Sequence, residues 1–378
     1  MTNIIDYVEW RGDLELKVSE FNEIDSLILN RFSYFPLDSI MKENEIVSIK
    51  ELSERFEKED KNEMKILWKD DADLFPIMGK SIRFGEMIAL EYINKIEPET
   101  EKQFSAITVI LPDNTIYVSY RGTDNTLIGW KEDFNMSFKS HIASQISAKE
   151  YLENIAKKYP NKKIRIGGHS KGGNLAVYAS IFADSEVKKR IINVYNNDGP
   201  GFNEDIINTE EYKESIEKVI TYIPQDSVFG MLLNHEEKYT VVQSTQKGVM
   251  EHDVYSWQVI GRNFVVLKEV TNGSKFIDKT ITNWLQNLDL NTREQVIDIV
   301  FEIINSTEAR TIADLKLSLM KNAKIILSSY KHIESENKKM ITATITALLG
   351  IIKENVKEEY KNNINREKEK LWKKTIIS

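Results

Sequence analysis

The sequence predicts an α/β protein: a mainly parallel sheet flanked by helices, followed by a helical C-terminal region. Three observations carry this expectation. Strand-like and helix-like runs alternate between residues 104 and 243, with polar, glycine-bearing loops where the strand-like runs end. One junction, residues 164–176, passes from β-branched residues through two glycines and a serine into an apolar helical pattern. Beyond Thr271-Asn272-Gly273-Ser274 only helical periodicity remains.

Taken in order, residues 21–32 place Ile24, Leu27, Ile28 and Phe32 on one helical face behind Asn22 as N-cap, and Ser33-Tyr34-Phe35-Pro36 closes that helix. Residues 43–68 are charged and helical in pattern, with Ile49, Leu52 and Phe56 as apolar anchors. Residues 86–94, carrying Met87, Ile88, Leu90 and Ile93, read as a further helix. Two β-rich runs, 104–111 and 115–120, are joined by Pro112-Asp113-Asn114 into a hairpin. Residues 147–159 read as a helix, 163–166 as a strand and 172–183 as the helix leaving it. Further strands are expected at 191–195, 219–223 and 238–243, with terminal strand material at 257–270. A boundary near residue 270 then separates a domain of residues 1–270 from helices in residues 271–378, where Asn291-Thr292-Arg293-Glu294 has the form of a capping box.

Composition narrows the function. A hydrophobic content of 41% and a charged content of 29% describe a globular chain long enough, at 378 residues, for one large domain or two modest ones. The net charge of −8 argues against general nucleic-acid affinity, which needs a basic surface. The absence of cysteine excludes disulfides, cysteine-ligated zinc and a thiol nucleophile. No basic segment followed by an apolar core opens the chain, and residues 341–352, the nearest approach to a membrane span, are too short and broken by threonines. A cytoplasmic protein with no transmembrane segment is the expectation.

The chemistry centres on Gly168-His169-Ser170-Lys171-Gly172, which fits the Gly-x-Ser-x-Gly nucleophile elbow of α/β hydrolases. The turn is so tight that positions two before and two after the serine must be nearly free of side chain, and glycine meets that need. A serine hydroxyl is a poor nucleophile at neutral pH, so it requires a base, and the base an orienting acid. In this fold class the order is Ser, then Asp or Glu, then His. Of His235, His252 and His332, His252 stands in a loop after the last core strand and is the expected base; His235, between two strand candidates, is the alternative. For the acid, Asp226 follows an apolar strand directly and is preferred to Asp198, whose Gly-Pro-Gly sequel suits a turn. The oxyanion donors are expected from the backbone N–H of Lys171 and from Thr123, which follows the permissive Gly122 at an earlier strand end.

These residues resemble a known group. Tyr120-Arg121-Gly122-Thr123, Trp130 with Asp133, the Gly168–Gly173 stretch, Asp226 in an Ile-Pro-x-Asp-x-Val setting, and His252 together resemble the class 3 (fungal-type) lipase branch of the α/β hydrolases. Asp6-Tyr7-x-x-Trp10-Arg11-Gly12-Asp13 and Asn197-Asp198-Gly199-Pro200-Gly201-Phe202 are similar to an uncharacterised bacterial lipase-like family. The resemblance covers about residues 1 to 262. It implies an α/β-hydrolase fold, Ser170 as nucleophile, Asp226 and His252 as its partners, and Thr123 with Lys171 at the oxyanion. Lys171 stands where such lipases carry leucine, and only 26 positions separate Asp226 from His252, shorter than the lipases' segment.

Two functions follow as expectations. The first is a serine hydrolase acting without cofactor or metal on small-molecule or lipid carboxylic esters through an acyl-enzyme. The second is a hydrolase-fold scaffold that binds a protein partner, or a second copy of itself, through the C-terminal helices. Residues 353–374 mix lysines and glutamates with sparse apolar positions, the composition of a solvated or paired helix face.

Overall fold

The computed structural model describes residues 2–124, 126–271, 274, 290–305, 338, 339 and 342. The chain divides into two compact units, one running from Met1 to Arg293 with Arg310–Ala313, the other comprising Glu294–Ala309 and Asp314–Ser378.

The first unit is built on a nine-stranded sheet: β1 (Val47–Ser48), β2 (Ile88–Glu97), β3 (Lys102–Ile110), β4 (Ile116–Tyr120), β5 (Ile164–His169), β6 (Ile191–Asn197), β7 (Val219–Pro224), β8 (Tyr239–Val242) and, after the small hairpin β9 (Val259–Ile260) and β10 (Asn263–Phe264), β11 (Val266–Leu267). The sheet strands lie side by side in chain order. β4 to β8 are mutually parallel, and β1 to β3 and β11 pair antiparallel at the two sides. Parallel neighbours need crossovers. α5 (Leu127–Asn135) and α6 (Ala143–Lys158) join β4 to β5; α7 (Lys171–Phe182) and α8 (Ser185–Arg190) join β5 to β6; α9 (Glu204–Ile207) and α10 (Glu210–Ser215) join β6 to β7.

Alternation along the central strands sorts side chains between two cores. Ile116, Val118 and Tyr120 of β4, with Ile164 and Ile166 of β5, meet Ala148, Leu152 and Ile155 of α6 and Leu175 to Ala179 of α7. α7 is buried from Lys171 to Ile181, so it is apolar on nearly every side and contributes roughly 1.5–3 kcal/mol for each large aliphatic removed from water. The opposite face carries Tyr117 and Tyr195 and is covered from the N-terminal segment by α1 (Ile4–Arg11), α2 (Glu23–Phe32), α3 (Ile49–Lys58) and α4 (Asp71–Lys80). Asn22 caps α2 through the N–H groups of Ile24 and Asp25 while Asp25 returns to the Asn22 N–H, a reciprocal capping box. Two ion pairs with less than a few per cent exposure, Arg83–Asp25 and Arg31–Asp71, tie this layer together.

One element differs from expectation. Residues 86–94 are not helical; from Ile88 they form β2. Glu91 has φ 54°, and the register with β3 jumps between Leu90 and Ile93. This bulge interrupts the two-residue alternation and leaves apolar residues spaced as in a helix. In the 43–68 run, the helix is confined to α3. The 104–120 hairpin is present as β3 and β4. Residues Leu290–Asn305 form a helix, α11, with Ile297, Val300 and Phe301 buried. The other helices expected between residues 275 and 374 lie outside the described residues.

Candidate active site

β5 ends at His169 and α7 begins at Lys171, so Ser170 alone makes the turn between them, with φ 59° and ψ −135°. This left-handed, extended combination is one that side chains rarely adopt, and it persists only where the surroundings hold it. Sterics explain both elbow glycines. A Cβ on Gly168 would stand 2.1 Å from the Gly172 carbonyl carbon, and one on Gly172 would stand 2.2 Å from the Tyr120 oxygen. Ser170 N–H donates to the Asn197 carbonyl at 2.9 Å, which fixes the elbow against the end of β6.

His252 meets this turn from the loop after β8. Its Nδ1 lies 2.6 Å from Asp198 Oδ2. Its ring contacts those of His169, with centroids 4.4 Å apart, and Phe229, at 4.3 Å. His169 Nε2 is 2.9 Å from the His252 carbonyl oxygen. Burial, and then the neighbouring His252 and Arg31, hold the His169 imidazole well below its ordinary value, so it is neutral and donates Nε2–H to that carbonyl. Ser170 Oγ makes no hydrogen bond among the described residues.

The carboxylate that bonds His252 belongs to Asp198, the alternative in the sequence reading, and not to Asp226. Asp198 follows β6 immediately, is fully buried, and turns with φ 53°. Its Oδ1 accepts the Ser227 hydroxyl at 2.5 Å and the Gly230 N–H at 3.1 Å, leaving Oδ2 for the imidazole. The turn suggested by Gly199-Pro200-Gly201 is present, and it aims the Asp198 carboxylate at His252. Asp226 lies beyond β7, one strand further from the elbow. Its carboxylate accepts the Gly248 N–H at 3.2 Å and the Thr271 hydroxyl, and its own N–H donates to Glu251 Oε2 at 2.7 Å. Asp226 therefore braces the loop that carries His252. The alternative base, His235, pairs with Glu237 at 3.0 Å, whose carboxyl is held at about 2 largely through that contact despite burial.

Lys171 is the residue after the serine, and Thr123 follows Gly122 in the loop after β4. A Cβ on Gly122 would meet the Ser170 Cβ at 3.1 Å, which places the loop after β4 directly against the serine. The N–H groups of Thr123 and Lys171 are engaged by no hydrogen bond among the described residues. Thr123 Oγ1 donates to Asp133 Oδ2 at 2.5 Å, so its hydroxyl proton is committed. The Lys171 side chain turns inward, with Nζ 2.8 Å from Glu132 Oε2 and 2.9 Å from Gln103 Oε1.

Tyr34 has no motif around it to announce it. It comes from the end of the α2 segment, and its hydroxyl accepts the Gly122 N–H at 2.9 Å and donates to the His169 carbonyl at 3.0 Å. The loop after β4 and the elbow are thus joined by one phenol. Arg31 lies over the Tyr34 ring at 4.2 Å. Burial raises several acids here: Asp133 to about 6, Asp253 to about 6 and Glu251 to about 7. Among the described residues, no cluster of three or more His, Asp or Glu side chains is arranged to hold a metal, and no helix is long and apolar enough to cross a membrane.

A mixed, mainly parallel sheet with a strained serine at a strand–helix turn, and with a carboxylate and an imidazole on later strand-end loops, defines an α/β-hydrolase fold. Within that class the chain belongs to the Mbeg1-like family, whose model matches residues 78–302. Solved structures similar to it include lipase II from Rhizopus niveus, at 15% identity over 53% of this chain and 77% of that one, with a TM-score of 0.35. The Rhizomucor miehei lipase in its propeptide complex is similar at 13% identity over 51% and 66%, with a TM-score of 0.34. A mutant of the Penicillium cyclopium protein MDLA is similar at 8% identity over 66% and 87%, with a TM-score of 0.38. No curated protein matches the chain.

Proposed function

We propose that the protein is a serine hydrolase cleaving carboxylic esters, lipid esters among them, with Ser170 as nucleophile, His252 as base and Asp198 as orienting acid. The observation that carries this reading is the 2.6 Å bond from His252 Nδ1 to a fully buried Asp198 beside a serine held at φ 59°. With Nδ1–H donated to Asp198, Nε2 carries the free lone pair and can receive the Ser170 proton. Ser170 Oγ then attacks the ester carbonyl. The oxyanion accepts hydrogen bonds from the Lys171 and Thr123 N–H groups, at the N-terminal end of α7, where the helix dipole favours negative charge. His252 passes its proton to the leaving alcohol. Water, deprotonated by the same imidazole, opens the acyl-enzyme and regenerates the serine. None of these steps requires a metal or an organic cofactor.

In this reading residues 1–270 supply the chemistry and residues 271–378 do not. The test is turnover of p-nitrophenyl esters of short and long acyl chain by the full-length protein and by Ser170→Ala. Loss of turnover in the variant is expected; equal rates would remove Ser170 from the mechanism.

A further inference from the structure

Resting on that reading of the site, we propose that the Lys171 ammonium is a positioning residue for the oxyanion loop: buried between β3 and α5, it holds Asp133 as the acceptor of the Thr123 hydroxyl and so orients the Thr123 N–H. Lys171 thereby serves the site twice, through its backbone N–H and, separately, through its charge.

The geometry is a closed network. The Lys171 side chain is 1% exposed. Its Nζ donates to the Gln103 carbonyl at 3.0 Å, to Gln103 Oε1 at 2.9 Å and to Glu132 Oε2 at 2.8 Å, and faces Asp133 Oδ1 at 3.9 Å. Glu132 also receives the N–H groups of Gln103 and Ser144, which fixes α5 to β3 and to the start of α6. Asp133 is the next residue of α5. Its Oδ2 takes the Thr123 hydroxyl, while its Oδ1 is buried and has no hydrogen-bond partner. Lys171 is the cationic side chain within ion-pair distance of that oxygen among the described residues.

This matters because Asp133 is poised to change state. Burial raises its carboxyl to about 6, Lys171 and the Thr123 hydroxyl oppose that rise, Glu132 adds to it, and His252 opposes it when charged. Tyr34 faces the same carboxylate from the N-terminal segment. A protonated Asp133 is a weaker acceptor for the Thr123 hydroxyl, so the bond that holds the loop loosens. Taking away the Lys171 charge raises Asp133 further, so loss of the ordered loop on acidification must begin at a higher pH.

The experiment measures kcat and KM against pH for a short-chain p-nitrophenyl ester. Lys171→Met is expected to lower kcat roughly tenfold to a hundredfold with little change in KM, and to move the acid limb of kcat upward by about one pH unit or more. Lys171→Arg, which keeps the charge, is expected to retain the wild-type limb. In an Asp133→Asn background Lys171→Met is expected to move the limb no further. Should Lys171→Met fail to fold because Glu132 is left unpaired, the double variant Lys171→Met with Glu132→Gln removes both charges. Lys171 acts on Asp133 more strongly than Glu132 does, so an upward shift is still expected. An unmoved limb in a folded variant, or an equal shift in the Asp133→Asn background, would overturn the proposal. An unreactive wild type would overturn the hydrolase reading and this proposal together, whereas a reactive wild type with an unmoved limb overturns this one alone.

Discussion

Asp198→Asn is the most informative single substitution at the site. Asp198 is fully buried, and its two oxygens face different ways: Oδ1 takes the Ser227 hydroxyl and the Gly230 N–H, and Oδ2 takes His252. An asparagine keeps its carbonyl where two donors converge, so its NH2 faces the imidazole. His252 Nδ1 must then accept, Nε2 carries the proton, and the ring presents the wrong tautomer to Ser170. In a serine protease whose orienting aspartate was replaced by asparagine, rates fell about ten-thousandfold for this reason, corresponding to about 5.5 kcal/mol of lost transition-state stabilisation. A loss of about a thousandfold to ten-thousandfold in kcat is expected here. Asp226→Asn is expected to stay within about tenfold, because Asp226 reaches the site only through the loop bonds to Gly248, Thr271 and Glu251. The assay is steady-state ester hydrolysis by both variants, with unfolding midpoints to confirm that each folds. A dead Asp226→Asn beside an active Asp198→Asn would refute the geometric argument.

Two other consequences are measurable. Tyr34→Phe leaves the buried Gly122 N–H without its acceptor, at a cost of about 1–3 kcal/mol, and loosens the link between the oxyanion loop and the elbow. Both the unfolding midpoint and kcat should fall, kcat by about tenfold, and an unchanged kcat would remove Tyr34 from the support of the site. Glu251 titrates near 7 in the folded protein against an ordinary 4.5, so the folded state holds the extra proton and stability falls as pH rises from about 4.5 to about 7. Glu251→Gln should flatten that window in melting curves; an unaltered pH dependence would contradict the assignment.

Much of the fold was readable because its signals are local. The hairpin of β3 and β4 announces itself by β-branched runs around Pro112-Asp113-Asn114, and the elbow by two glycines that sterics demand. β2 was misread because a bulge at Glu91 replaces strand spacing with helix spacing. The carboxylate that bonds His252 is hidden from the sequence for a related reason. Sequence shows that Asp198 stands in a turn but not that a positive φ turns its carboxylate toward a loop 54 residues away. The supporting residues are harder still. Tyr34 lies 88 positions from the Gly122 N–H it receives, and Lys171 lies 39 from the carboxylate it neutralises. No period or motif links such pairs, because only the closed tertiary structure brings them together.

The central claim is that Ser170 is an activated nucleophile. Treating the full-length protein with a fluorophosphonate and measuring its intact mass, followed by peptide mapping, tests it directly. The account predicts a single adduct mapped to Ser170 and none on Ser170→Ala. A wild type that stays unmodified, or an adduct that survives the substitution, would contradict it.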